Sequence, residues 1–204
     1  MKNRPNRSRR DQAVRRTAFA ALIGAAAIKA VRTLDDRAVI NDPRGSELVP
    51  LPPTARTVVT SADGTAINVR IYGPDGAPTV VLAHGWTCAI DFWTPQIRGL
   101  CADRRVVAYD QRGHGRSGLP GPSGCTMDAL ADDLLAVLDA CVPAGERAVV
   151  AGHSMGGFAT LALAGRHPAE LRRRVAGVVL ASTAAVDVLA DARVLPGGPA
   201  ALRT

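Results

Sequence analysis

The 204-residue sequence has no uninterrupted apolar run of the roughly 18 residues that mark a membrane-spanning helix. Its cysteines, Cys88, Cys101, Cys125 and Cys141, form no CxxC pair and stand beside no histidine cluster, which argues against a zinc site. Each sits next to apolar or helix-like sequence, where a free thiol behaves as a small hydrophobe, so buried or half-buried thiols are expected. They do not define a redox compartment. The glycines keep no period of three, which excludes a collagen-like chain, and no internal repeat is present. Apolar residues, by contrast, are plentiful. At 47% they rule out a wholly disordered chain, and the length suits one domain with a tail.

The net charge of +7 would suggest a nucleic-acid partner if it were spread over a folded surface. It is not. Residues 1–37 hold ten Lys/Arg against Asp11, Asp35 and Asp36, so the tail alone accounts for +7 and the remainder is neutral. No phosphate-binding surface, and hence no nucleic-acid partner, is expected of the globular part. Within the tail, the basic run Lys2–Arg16 precedes the uncharged stretch Thr17–Ile28, the layout of an export signal or membrane anchor. A surface helix facing anionic headgroups and a plain disordered tail remain the other two readings. The tail thus points to association with a membrane or passage across it, with a cytoplasmic location as the alternative. Residues 38–56 read as a Pro-rich linker, with three prolines among the four residues Pro50–Pro53.

From residue 57 to 186 the pattern is that of a folded core. Thr57–Thr60 and Ala66–Ile71 are β-branched runs joined by Ser61-Ala62-Asp63-Gly64, a hairpin signal. Thr79–Ala83, Arg105–Tyr109, Ala148–Ala151 and Val175–Ala181 are continuous apolar runs that suit strands buried on both faces of a parallel sheet. Helix-length segments, Ile90–Ala102, Met127–Cys141 and Met155–Arg166, separate them. Met127–Cys141 gathers Leu130, Leu134, Leu135, Val137, Leu138 and Cys141 on one side, with its acids Asp128, Asp132, Asp133 and Asp139 largely elsewhere. Alternating elements of this kind predict an α/β fold with a doubly wound, mostly parallel sheet. Ligands in such sheets bind beyond the C-terminal strand ends, so chemistry is sought there.

Those ends carry motifs. The third run closes on His84-Gly85-Trp86, the fourth on Asp110-Gln111-Arg112-Gly113-His114-Gly115-Arg116-Ser117, and the fifth on Gly152-His153-Ser154-Met155-Gly156. Gly-x-Ser-x-Gly between a buried strand and an Ala/Leu helix is a nucleophile elbow: a sharp turn holds the serine in a strained backbone, and the glycines leave room that a Cβ would fill. The serine then stands at a helix N-terminus, which favours developing negative charge.

On these three motifs, in this order and each closing a predicted strand, the chain resembles the α/β-hydrolase superfamily, in its esterase, lipase and cofactor-free haloperoxidase branch. The resemblance runs from about Thr57 to about Val186, some two-thirds of the chain. It implies Ser154 as nucleophile, the backbone N–H groups of Met155 and Trp86 as the oxyanion hole, a small-molecule acyl substrate, and neither cofactor nor metal. The Trp86 indole can in addition pack the pocket floor. Asp110 is expected to fix its turn, accepting from nearby backbone N–H groups or from Arg112. Epoxide hydrolases and haloalkane dehalogenases of this fold carry aspartate at the elbow, so Ser154 favours acyl transfer through an acyl-serine.

The family's base is harder to place. The chain order in this fold is Ser, then Asp or Glu, then His. After Ser154 the sequence contains only His167, at the far end of the helix that follows the elbow, and the motif places of His84, His114 and His153 are not the base's. Asp187 is the candidate acid, with Asp191 close behind. The resemblance thus implies a hydrolase lacking its last strands and most of its lid, with residues 187–204 as the lid's start, Val175–Ala181 as an exposed apolar edge, and no catalytic histidine. Two expectations follow: a serine hydrolase acting on an ester or related acyl substrate whose base lies outside these residues, or a non-catalytic or degenerate remnant of that fold. Haloperoxidase and C–C hydrolase chemistry are kept as relatives of the first.

Overall fold

Two β-branched runs pair as the polar turn between them predicts. In the computed structural model, which describes residues 45–184, β1 (Ala55–Thr60) and β2 (Ala66–Tyr72) form an antiparallel hairpin with Thr60 opposite Ala66. Asp63 closes the turn, its Oδ1 accepting from the Thr65 N–H at 3.1 Å and the Thr65 hydroxyl at 2.7 Å. Then come β3 (Thr79–Ala83), a 3-10 turn (Ile90–Trp93), α1 (Thr94–Leu100), β4 (Arg105–Tyr109), α2 (Met127–Cys141), β5 (Ala148–His153), α3 (Met155–Arg166), α4 (Pro168–Arg174) and β6 (Val175–Ala181).

The sheet order is β1-β2-β4-β3-β5-β6, with parallel pairing of β4, β3, β5 and β6 and antiparallel pairing of β1 with β2 and of β2 with β4. A mostly parallel sheet carrying an antiparallel hairpin at one edge is a common outcome when the parallel strands need cover on both faces. The side-chain alternation shows that cover. Val81, Ala83, Val107 and Tyr109 join a core with Leu134, Leu138 and Leu163, while Leu82, Val106 and Ala108 join another with Ile90, Trp93 and Ile97. Helices α2 and α3 therefore lie on one face and α1 on the other: the sheet is doubly wound, as expected.

Three local differences from the expected elements have simple causes. Ile90–Ala102 is not one helix, because Pro95 in the first turn of α1 suits a new helix start rather than a continuation. Pro168 likewise opens α4, a helix not expected from the sequence. Of the cysteines, Cys141 is buried and Cys88 and Cys101 are half-buried, but Cys125 is exposed: it precedes the Thr126 cap of α2 on a loop rather than joining an apolar face.

Val178, Val179 and Leu180 of β6 are 43%, 53% and 44% exposed, so this strand presents an apolar surface among the described residues. The chain divides into two units, Met1–Leu48 and Val49–Thr204; of the first, only a 3-10 turn, Gly45–Leu48, is described. No helix among the described residues is long and apolar enough to cross a membrane. The basic tail, Asp187, Asp191 and the expected start of a lid lie outside the described residues.

Candidate active site

The chain leaves β3 toward β4 on one side and later returns past it to β5 on the other, so the sheet order reverses at β3. Such a reversal opens a crevice at the C-terminal strand ends. Here Ala83 pairs with Gly152, and the segments that follow, His84–Cys88 and His153–Gly157, emerge side by side. A Cβ built on Gly85 would stand 3.2 Å from the Cβ of Ser154. The two motifs expected to cooperate are thus in direct apposition.

Ser154 joins β5 to α3 with φ 48° and ψ −112°, a backbone state that a serine adopts only under constraint. The constraint is steric and polar together. A Cβ on Gly156 would overlap the Ala83 carbonyl, and one on Gly152 would overlap the backbone of Gly156. The Ser154 N–H donates to the Ala181 carbonyl of β6 at 3.0 Å, and the Thr183 hydroxyl donates to the Ser154 carbonyl at 2.9 Å. The Ser154 side chain does not cap α3, and its oxygen has no hydrogen-bond partner among the described residues.

The loop after β3 is strained as well. Thr87 has φ 60°, and a β-branched residue there is a true outlier. Ser182, just past β6, has φ 48°. Strained non-glycine residues thus follow three neighbouring strands at one end of the sheet, the arrangement in which strain marks a functional region. The backbone N–H groups of Trp86 and Met155 donate to no described residue. Both are therefore available to a ligand, and the N-terminus of α3 adds its dipole at Met155.

His84 and Gln111 knit the two loops. His84 is fully buried. Its Nε2 lies 3.0 Å from the Gln111 backbone N–H, which can only donate, so Nε2 accepts. Its Nδ1 therefore carries the proton and donates to the Gly85 carbonyl at 2.7 Å. The Gln111 side-chain amide in turn donates to the His84 carbonyl. Burial pushes the imidazole pKa below its ordinary value, against the smaller raising effects of the Gly85 carbonyl and Asp110. A neutral ring follows.

Asp110 fixes its turn as expected, but not through Arg112. Its carboxylate accepts from the Ile90 N–H at 2.8 Å, the Arg116 N–H at 2.9 Å and the Asn68 side chain at 2.8 Å. Arg112 points instead to Asp133 and Asp63. Its Nε and Nη2 each lie 2.7 Å from Asp133 oxygens, its Nη1 lies 2.9 Å from Asp63, and Nη1 also reaches the Gly124 carbonyl at 2.8 Å. The guanidinium, with help from Thr65, holds the Asp63 carboxyl well below the usual carboxylate range. Asp133, expected with the other acids of its helix largely away from the apolar side, is fully buried. Its position between Leu130, Leu134 and Val137, within the apolar stripe, was the signal for this.

Trp86, Arg112, His114, Cys125, Leu130 and Met155 line a cleft of about 250 Å³. Trp86 is 72% exposed, so its indole flanks the opening and does not pack a pocket floor. The cleft joins both expected oxyanion residues to the buried arginine and to His114 of the motif after β4, and Cys125 and Leu130 enter it without a motif to announce them.

None of the histidines bonds to Ser154. His84 has both ring nitrogens engaged. His153 stacks on Phe92 at 4.6 Å and stands edge-on to Trp93. His114 donates from Nδ1 to the Arg112 carbonyl at 2.9 Å. His167 ends α3 and pairs with Asp132 at 2.9 Å, a helix length of roughly 18 Å from the elbow, as the sequence suggested. No group of three or more His, Cys, Asp or Glu residues suited to a metal ion occurs among the described residues.

Comparison with known proteins bears on this geometry. A family model for the alpha/beta hydrolase fold matches residues 78–199. A non-heme chloroperoxidase of Streptomyces lividans is 46% identical over 101 residues, covering 48% of this chain and 35% of that protein. A 3-oxoadipate enol-lactonase of Acinetobacter baylyi is 36% identical over 104 residues, covering 51% of this chain and 38% of that one. The crystal structure of an esterase from Rhodococcus sp. superposes with a TM-score of 0.56 at 34% identity, over 64% of this chain and 46% of the other. In each case the matched region spans less than half of the relative's length.

Proposed function

Because this chain belongs to the alpha/beta-hydrolase fold family, we propose that it is a serine hydrolase domain acting on an ester or related acyl substrate, with Ser154 as nucleophile. The observation that carries this is the strained Ser154, with φ 48°, held between two glycines that admit no Cβ and set against Gly85. In this mechanism Ser154 Oγ attacks the acyl carbonyl while its proton passes to a base. The oxyanion that forms accepts from the free N–H groups of Trp86 and Met155. The carbonyl then re-forms as the alkoxide leaves with a proton, giving an acyl-serine that water cleaves to the acid. Preorganised donors of this kind are worth about 2.7–4 kcal/mol each because they meet charge that appears only in the transition state.

None of the four histidines bonds to Ser154 among the described residues, which supports a base from elsewhere. A histidine outside these residues, oriented by an acid for which Asp187 is the candidate, completes the triad in this proposal. The same observation favours a second reading, in which these residues by themselves bind acyl ligands without turning them over. The test is hydrolysis of p-nitrophenyl esters of graded chain length by a complete version of the enzyme, one that carries these residues together with the base, and by its Ser154→Ala variant. Loss of most activity with an unchanged circular dichroism spectrum supports the assignment. Near-parental turnover by the variant overturns it.

For location, we propose that residues 1–37 bring the protein to a membrane or across one, supported by ten Lys/Arg beside the uncharged Thr17–Ile28 stretch. Fractionation of cells producing a C-terminally tagged protein checks this. A wholly soluble cytosolic pool with an intact N-terminus overturns it.

A further inference from the structure

The buried imidazole of His84 joins the loops after β3 and β4, alongside the Asp110 bond to the Ile90 N–H and the Gln111 side-chain bond to the His84 carbonyl, but it alone of these ties holds the Gly85 carbonyl. On one side its Nδ1–H donates to the Gly85 carbonyl, the peptide oxygen just before the Trp86 N–H. On the other its Nε2 accepts from the Gln111 N–H in the loop after β4. The Gly85 carbonyl also accepts from the Cys88 N–H at 3.2 Å, closing a turn that contains the strained Thr87. The peptide between Gly85 and Trp86 is one planar unit, so holding its oxygen fixes the direction of its N–H.

We propose that His84 is a positioning residue that aims the Trp86 N–H into the cleft, and that protonation of its ring releases this aim. The cation has a proton on both nitrogens, so Nε2–H would meet the Gln111 N–H donor against donor. Another acceptor is at hand: Asp110 Oδ1 lies 3.9 Å from Nε2. The protonated ring turns toward Asp110, loses Gln111, and frees the Gly85 carbonyl, while Thr87 relaxes from its strained state. The charged and titratable groups facing the ring are Asp110, which favours the cation, and His114 and His153, which oppose it. The ring centroid of His114 is 5.6 Å away.

The inference rests on Ser154 being the nucleophile only for its catalytic meaning; the tie itself is tested without turnover. Long-range proton–nitrogen spectra of protein labelled with 15N-histidine should show His84 neutral with the proton on Nδ1 at pH 7. On lowering the pH, the amide signals of Trp86 and Gln111 should move with the midpoint of the His84 ring. In His84→Gln, which cannot titrate, neither amide should show that midpoint. A proton on Nε2 at pH 7, a ring that stays neutral until acid unfolding, or a Trp86 amide that ignores the His84 titration overturns the proposal. With ester substrate, kcat should fall along the same midpoint while KM changes less than about twofold, since the oxyanion hole acts in the transition state. If Ser154→Ala retains activity but the amides titrate together, the nucleophile assignment fails and the tie stands.

Discussion

Arg112 and Asp133 form a two-bond pair, Nε and Nη2 to the two carboxylate oxygens at 2.7 Å each, with both side chains about 1% exposed. The pair connects the loop after β4 to the middle of α2, and Asp63 extends it to the β1–β2 turn. Taking Arg112 away leaves the buried Asp133 carboxylate without a counter-charge, which costs about 3–5 kcal/mol. Arg112→Met should lower the unfolding free energy in urea by about that amount, and Asp133→Leu by less, because Arg112 then keeps Asp63 as its partner. The double variant should cost clearly less than the sum, because no charge is then stranded at that position. Additive losses would show that the two side chains contribute independently.

The elbow should show the opposite sign. Ser154 occupies a backbone state whose cost is of the order of 1–3 kcal/mol, and glycine adopts it freely. Glycine also gains roughly 0.5–1 kcal/mol of disorder in the unfolded chain, which offsets part of the relief. Ser154→Gly is therefore expected to be at least as stable as Ser154→Ala and up to about 2 kcal/mol more so. Thermal unfolding of the two variants checks this. A glycine variant clearly less stable than the alanine variant would mean that the turn is not strained.

Much of this fold was legible from residue order because the parallel strands and their motifs are local signals. The limits of α2 and α3 followed from the leucine stripe of Met127–Cys141 and from the elbow and His167 on either side of Met155–Arg166. The apposition of Gly85 and Ser154 followed from strand ends in a sheet of this type. What the sequence hid were partners separated along the chain. Nothing near Arg112 says that it will choose Asp63 and Asp133 over Asp110, two residues away. That choice is made when Asp110 is filled by backbone donors from Ile90 and Arg116. Likewise, the two bonds between His84 and Gln111 connect residues 27 apart and become visible only once β3 and β4 lie side by side.

Acid should weaken the fold through His84. Its folded pKa lies below the ordinary value of 6.5 because burial penalises the cation. Between those two values the unfolded chain holds the proton and the folded chain does not, so stability rises with pH in that window. The contribution of a neutral His84 is complete above about pH 6.5 and is lost as pH falls toward the folded value, with a slope of up to about 1.4 kcal/mol per pH unit. Urea unfolding at pH 7.5, 6.5 and 5.5 should show this decline, and His84→Gln should flatten it. A parent protein equally stable at all three pH values would contradict the buried neutral ring.

A protein of these 204 residues alone should turn over esters poorly. Ser154 Oγ has no imidazole to take its proton among the described residues, so the serine should be no more nucleophilic than an ordinary alcohol. The oxyanion donors by themselves sustain roughly 10³–10⁴-fold over water when triad members are missing from a complete enzyme, far below full turnover. A fluorophosphonate probe, which reports the activated serine, should therefore label Ser154 slowly, at a rate close to that of Ser154→Ala background. The same preparation should self-associate. Val178, Val179 and Leu180 leave β6 with an apolar face on a strand, and such surfaces invite pairing with other chains. Light scattering should give a mass above that of the 21.2 kDa monomer, and Val179→Lys should shift it back toward one chain. Rapid, stoichiometric labelling of Ser154 in a monodisperse monomer would contradict both expectations at once. The free Nε2 edge of His114, at the wall of the cleft, would then be the first place to seek the base.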